Sequence, residues 1–420
     1  MIKELTMEKT SLPVGWEMKT LGDISDFQRG LTYSRKDAVD FSENIVLRAT
    51  NIDLDKSCLD FSELKYLNND FQVKQNKKIV KGGLLICLSS GSKKHLGKVA
   101  LVTDEYNYAF GGFIGQIIPD NQVVSKYLFY NLVSEAYKKY ISELTDGIGI
   151  NNLKSIDLKS FEIPLPPLPQ QKQIVAILDK AFVAIDNAKA NAEQNLQNTK
   201  ELFESYLQNT FETKGDDWEE KKWGELCHFV RGPFGGSLKK SMFKESGYVV
   251  YEQKHAIHNH FNQLRYFIDE EKFNEMKRFE VKPGDIIMSC SGVTLGRVAI
   301  IPDNIPQGII NQALLKLTPN KDVYVEFLKH WLRSNIFQTI IFEHSGGAAI
   351  PNVPAAKILK QITIPIPNIK EQKRIVKEIE LTLTKTKKLE AIYVQKIADL
   401  EEMKKSVLQK AFSGQLNTIN

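Results

Sequence analysis

Two stretches of the chain carry a hydrophobic repeat too long for an ordinary globular helix. From Gln170 to Glu212 the positions Ile174, Leu178, Ala181, Ile185, Ala188, Ala192, Asn195, Thr199, Leu202 and Tyr206 alternate spacings of four and three. From Lys370 to Phe412 the matching set is Ile375, Ile379, Thr382, Thr386, Leu389, Tyr393, Lys396, Leu400, Met403 and Val407. This is the seam of a coiled coil, and each helix would span about 65 Å at about 1.5 Å per residue. Mutual pairing buries both seams. Ahead of each helix the pattern changes to short β-rich segments punctuated by Gly, Pro, Asn and Asp, with amphipathic helices late in each part, "SKYLFYNLVSEAYKKYI" and "VEFLKHWLRSNIFQTII". Each globular part is therefore expected to be α+β.

The two halves are copies. "GWEMKTLGDISDFQRG" (15–30) pairs with "DWEEKKWGELCHFVRG" (217–232), and "VKGGLLI" (80–86) with "VKPGDII" (281–287). "IPLPPLPQQKQIV" (163–175) pairs with "IPIPNIKEQKRIV" (364–376), aligning Gln171-Lys172 with Gln372-Lys373. The order is preserved, so the predicted organisation is a first module over 1–163, a spacer helix over 164–214, a second module over 215–363 and a second helix over 364–420. A proline-rich hinge precedes each helix. If the halves obey a pseudo-twofold axis, the helices run antiparallel and hold the modules at opposite ends.

Composition narrows the class. With 42% hydrophobic and 25% charged residues and a net charge of +5, the chain reads as a globular protein. That charge permits an acidic partner without requiring one, so a nucleic-acid surface has to come from local arrangement. The four cysteines, Cys58, Cys87, Cys227 and Cys290, include no CxxC pair, which argues against zinc and a disulfide framework and for a reducing, cytoplasmic setting. The N-terminal "MIKELTMEKT" lacks a signal-peptide core, and no apolar run approaches the roughly 20 residues that cross a bilayer. Neither a secreted nor a membrane protein is expected.

Catalytic motifs are missing where they would be needed. "SSGSKKHLGKVA" (89–100) suggests a phosphate-binding loop, but five residues separate Gly91 from Gly97 and Val99 stands where magnesium requires Ser or Thr. Its counterpart "CSGVTLGRVAII" (290–301) has only three residues between Gly292 and Gly296. What the copies share is strand, glycine turn, basic residue (Lys98, Arg297) and strand. No [ND]-P-P-[YF] tetrad or glycine-rich cofactor strand supports a methyltransferase, and Asp120 with Asp157 and Lys159 is a coincidental rather than a nuclease pattern. The histidines His255, His258 and His260 lack a cysteine or spaced carboxylate partner, and no metal is expected there.

These features resemble the specificity subunit of type I restriction-modification systems, over essentially the whole chain. The resemblance implies two target-recognition domains, each reading one half of a split asymmetric DNA sequence, and an antiparallel coiled coil that sets the unread gap. It implies no catalytic site and no cofactor of its own. Two modification subunits using S-adenosylmethionine would dock on it, joined by two ATP-driven, magnesium-dependent restriction subunits. The segments that differ between the copies, "VLRATNIDLDKSCLDFSELKYL" and "VVYEQKHAIHNHFNQLRYFI", supply Arg48, Asn51, Gln253, Lys254 and His255 as candidate base readers. Lys93, Lys94, Lys98 and Arg297 in the glycine loops are candidate phosphate contacts, as are Arg29 and Arg231 and the Lys239-Lys240 pair that follows the latter. Asn311-Gln312 completes the set. The competing reading is a non-catalytic adaptor whose paired modules bind protein partners.

Overall fold

A computed structural model describes residues 12–146, 152–215, 217–234, 236–345 and 352–416. The chain divides into two compact units, 1–192 with 395–420, and 193–394. Each unit therefore combines one globular module with half of each long helix, which run over Leu168–Glu212 and Ile369–Phe412.

The first module is built on a four-stranded antiparallel sheet in the order Ser25–Arg29, Ile114–Pro119, Leu84–Cys87, Val99–Leu101. All four residues of Leu84–Cys87 are buried, as expected of a strand covered on both faces. A second sheet pairs Asn44–Leu47 antiparallel with Lys65–Leu67 and parallel with Ala109–Phe110. The second module repeats the first sheet as Cys227–Arg231, Leu314–Pro319, Ile286–Ser289, Val298–Ile300, and again adds a smaller sheet with one parallel pair, Tyr248–Tyr251 with Gly308–Ile310. The mixed α and β character expected of each copy is what is found.

The expected proline hinges begin as braced strands. Glu162–Leu165 pairs antiparallel with Glu17–Thr20, and Thr363–Ile366 with Glu219–Lys222. Proline is tolerated because each ribbon has only two strands, leaving an outer edge where its missing N–H costs nothing. In the first unit Tyr127 Oη donates to Pro164 O at 2.5 Å and Trp16 Nε1 to Gln170 Oε1 at 3.1 Å, so the lead into the helix is tied to the module.

Within each unit the helix halves pair antiparallel. In the first, Ile174, Leu178, Phe182 and Ile185 share a core with Leu400, Val407, Leu408 and Ala411, while Asp186 meets Lys404 at 2.8 Å and Lys189 meets Glu401 at 2.7 Å. In the second, Phe203, Leu207 and Phe211 pack with Ile375, Val376 and Ile379. In the later part of each helix the seam keeps every second predicted position, with Thr199 buried and Tyr206, Tyr393, Leu400 and Val407 half-buried, and shifts the positions between them by one residue. Asn195 and Leu202 face solvent and Leu196 and Phe203 turn inward; likewise Leu389, Lys396 and Met403 are exposed while Glu390, Ile397 and Lys404 are half-buried. A strict heptad needs about 3.5 residues per turn, and a helix left near its natural value of about 3.6 carries its buried stripe gradually ahead, so that alternate seam positions are the ones that change.

Candidate nucleic-acid interface

One end of each four-stranded sheet gathers the loops in which most candidates lie. The strand carrying Arg29 sits opposite Gly115, and the turn before that neighbour places Phe113, whose carbonyl accepts from Leu88 N at 2.9 Å and Ser89 N at 3.1 Å. The glycine loop 89–98 starts from the same point, and Asn152 bridges to Ser89. In the second module Arg231, Ala313, Ser291 and Asn352 occupy these places, with Cys290 N donating to Ala313 O at 3.0 Å. The glycines that follow the arginines are demanded by packing rather than by flexibility. A Cβ at Gly30 would lie 2.1 Å from Gly111 O, and one at Gly232 would lie 1.9 Å from Asn311 O.

The arginines are held in parallel ways. Arg29 is exposed, its Nε donating to Ser155 Oγ at 3.4 Å. Arg231 is half-buried and donates from Nη2 to Asn352 Oδ1 at 3.3 Å, with Nη1 lacking a partner among the described residues. Lys94, Lys239, Lys240, Arg297 and Gln312 are exposed. Lys93 is exposed and donates to Thr145 O, the last carbonyls of a helix being a natural acceptor for a cation.

Other candidates are committed inside the fold. Asn51 is 1% exposed; its Oδ1 accepts from Arg48 N at 2.8 Å, and its Nδ2 donates to Asp60 O and Glu63 O. His255 is 0% exposed and does the same work, its Nδ1 accepting from Glu252 N at 2.9 Å while Nε2 donates to Gln263 O at 3.2 Å. Burial holds this imidazole below its ordinary pKa, in keeping with the neutral tautomer these bonds require. Both side chains close the start of a short helix by bonding a backbone N–H three residues earlier. The expectation that Asn51 and His255 read bases is therefore corrected, because neither has surface or a donor and acceptor edge left to offer. Gln253 donates to Ser289 Oγ and Ser291 O, bracing the second glycine loop, and Lys98 donates to Ile52 O at 2.6 Å, its ammonium pKa lowered by burial. Lys98 and Gln253 are thus loop supports. Lys254 faces Glu252 at 3.4 Å, Arg48 lies 4.0 Å from Glu63, and Asn311 Oδ1 caps Ala313 N.

Charge alone does not single out two exposed aromatics in the loops that follow these strands. Phe113 is 69% exposed where the second module has Ala313, and Phe234 is 83% exposed in the loop after Arg231. Arg35 and Lys36, exposed in the loop after Arg29, hold the first module's counterpart to Lys239-Lys240. An apolar residue between glycines and a buried strand was the available signal for Phe113.

Elsewhere, burial pushes the thiols of Cys227 and Cys290 up to about 12, leaving both protonated. Glu326, His330 and Glu380 bring ligand-type atoms within 4.8 Å of one another. Lys329 already serves these carboxylates, lying against Glu326 and 3.8 Å from Glu380, so the group reads as an ion-pair network. Among the described residues no helix is long and apolar enough to cross a membrane.

Two copies of one module, each fused to antiparallel helix halves and differing at the same exposed sheet end, define a duplicated recognition scaffold. The family profile described as "Type I restriction modification DNA specificity domain" matches residues 13–197 and again 215–400, and the chain belongs to that family. It is similar to the type I restriction enzyme EcoKI specificity subunit of Escherichia coli K12, with 25% identity over 98% of this chain and 91% of that protein. Its fold matches a chain from a structure of assembly and conformational transition in the type I R-M system, with a TM-score of 0.77 at 19% identity over 97% of this chain and 100% of the other. It also matches the HsdS subunit from Thermoanaerobacter tengcongensis, with a TM-score of 0.66 at 18% identity over 98% and 100% of the two chains. The chain is thus a DNA sequence-recognition component and not the catalyst of its system.

Proposed function

We propose that each module reads one half of a bipartite, asymmetric DNA site through the loop-bearing end of its four-stranded sheet, and that the long helices set the unread gap. Arg29, Lys93 and Lys94 in the first module and Arg231, Lys239, Lys240 and Arg297 in the second would hold phosphates, and Phe113, Gln312 and Phe234 would approach base edges. The observation that carries this reading is the division of labour between the copies. Strand order, arginine and glycine turn are repeated, whereas the residues at the same sheet end are exchanged, exposed Phe113 for half-buried Ala313 and Gly112 for Gln312.

Two modification subunits using S-adenosylmethionine and two ATP-driven restriction subunits would dock on this cytoplasmic scaffold, which itself binds no cofactor. Exchanging residues 218–362 for the equivalent module of a relative, in cells that also express the modification subunits, tests the division. Base-resolution mapping of adenine methylation is expected to show one half-site replaced and the other retained. Replacement of both halves would overturn separate reading.

A further inference from the structure

In the last aligned block of the duplication, Gln171 and Gln372 are bonded alike in the two units. Both sit in the first turn of a long helix, and both are 0% exposed. Gln171 Oε1 accepts from Val124 N at 2.8 Å, while its Nε2 donates to Gln122 O at 2.9 Å and Pro166 O at 2.8 Å. Gln372 Oε1 accepts from Tyr324 N at 2.7 Å, while its Nε2 donates to Asp322 O at 2.9 Å and Pro367 O at 2.8 Å. Val124 and Tyr324 stand immediately before the helices Ser125–Leu132 and Val325–Arg333 and have no capping side chain of their own. One amide thus closes the start of a module helix and grips both the chain entering that helix and the chain entering the long helix.

We infer that Gln171 and Gln372 are positioning residues that lock each recognition module at one angle to its spacer helix, and so make the unread gap strict. This rests on the proposed reading of the two modules and their spacer. A spacer sets a distance only if its ends do not pivot, and one base pair of slip requires a shift of about 3.4 Å with a rotation of about 34°. Three bonds radiating from one buried amide resist both movements, because each leaves a buried polar group without a partner when broken. The adjoining contact between the module and the long helix differs between the copies, with Tyr130 and Lys126 on Asp179 in one and His330 and Lys329 on Glu380 in the other. The glutamine bonds are the same in both, as is the two-stranded ribbon beside them.

The test uses the full chain co-expressed with its modification subunits and a plasmid library carrying the two half-sites at every gap from two base pairs shorter to two longer. Gln372→Met preserves the side-chain length and removes all three bonds. The expected result is methylation of unchanged half-sites with the ratio of correct to adjacent gap reduced about tenfold, equivalent to about 1.4 kcal/mol. Gln171→Met should do the same. Phe273→Ala, which removes a buried ring beside the smaller sheet of the second module, in a cluster that contains no residue of either long helix, should lower the melting temperature while the gap stays strict. Should Gln372→Met fail to accumulate, Gln372→Asn, which keeps a shortened amide, is read in the same assay with the same expectation. Destabilised glutamine variants that retain wild-type gap selectivity would overturn the inference and leave these residues a purely structural role. A wild-type protein that methylates the half-sites at all gaps would instead overturn the functional reading on which the inference stands.

Discussion

Lengthening both helices by four residues at the boundary between the units, after Ala192 and after Val394, tests the ruler directly. Because the helix halves run antiparallel in each unit, a matched pair of insertions leaves Asp186–Lys404 and Lys189–Glu401 on one side and the Phe211 and Ile379 packing on the other undisturbed. Four residues add about 6 Å and rotate the helix beyond the insertion by about 40° more than a full turn. One base pair advances about 3.4 Å and turns about 34°, so a module carried along should meet DNA one or two pairs further on, near its original facing. Four residues also form an insertion that a coiled coil absorbs by local unwinding, which keeps the seam closed. Methylation mapping in cells expressing the insertion protein with its modification subunits is expected to show both half-sites unchanged and the gap longer by one or two pairs. Full activity at the original gap would refute the reasoning, because the helices would then not be measuring distance.

Phe113→Ala is expected to weaken methylation of sites through the first half-site by about tenfold, on the scale of losing one aromatic or apolar base contact, with the second half-site and gap unchanged in the same mapping. Asn51→Ala should destabilise the chain by about 1–3 kcal/mol in denaturant unfolding, since three backbone partners lose their bonds, and should leave the methylated sequence as it was. His330 supplies a pH dependence: burial and the neighbouring Lys329 hold its folded pKa below the ordinary 6.5, against the opposing pull of Glu380 and Glu326. Above about pH 7 it is neutral in both states and costs nothing; as pH falls from 6.5 toward the folded value the unfolded chain gains the proton first, and stability is lost. His255 shifts in the same direction, so the comparison is with His330→Gln, whose melting temperature between pH 7.5 and 5 should fall less steeply than that of the wild type; equal slopes would remove His330 from the account.

What could be read from the sequence was whatever repeats or runs long. The duplicated blocks and the two helices were visible because each is attested many times over along the chain. Beyond Ala192 only every second seam position is legible: Thr199 and Tyr206 stay inward, but Asn195 and Leu202 compete with Leu196 and Phe203 one position away, and only the helix's own twist chooses between them. In the sequence Asn51 and His255 present themselves as base contacts because their chemistry suits a base edge. The same chemistry suits a backbone amide three residues earlier, and burial decided in favour of the amide. Gln171 and Gln372 align, but the sequence assigns them no role, since two of each one's three partners lie 47 to 49 residues earlier in the first copy and 48 to 50 in the second.

These internal bonds share a property that bears on how such a protein acquires new specificities. Gln171 and Gln372 bond only to backbone atoms, and their partners are accordingly free to differ in kind, Val124 against Tyr324 and Gln122 against Asp322. The short-helix closures go further, with Asn51 in one module and His255 in the other reaching the same backbone N–H. A frame held by side chain to backbone bonds places no demand on the identity of the residues it holds, provided their backbone follows the same path. Side chains at the exposed sheet end can then change without loosening the joint to the spacer. A module that can be rewritten at one end while its other end keeps a fixed angle is what a two-word reader needs, since each word can alter without disturbing either the other word or the distance between them.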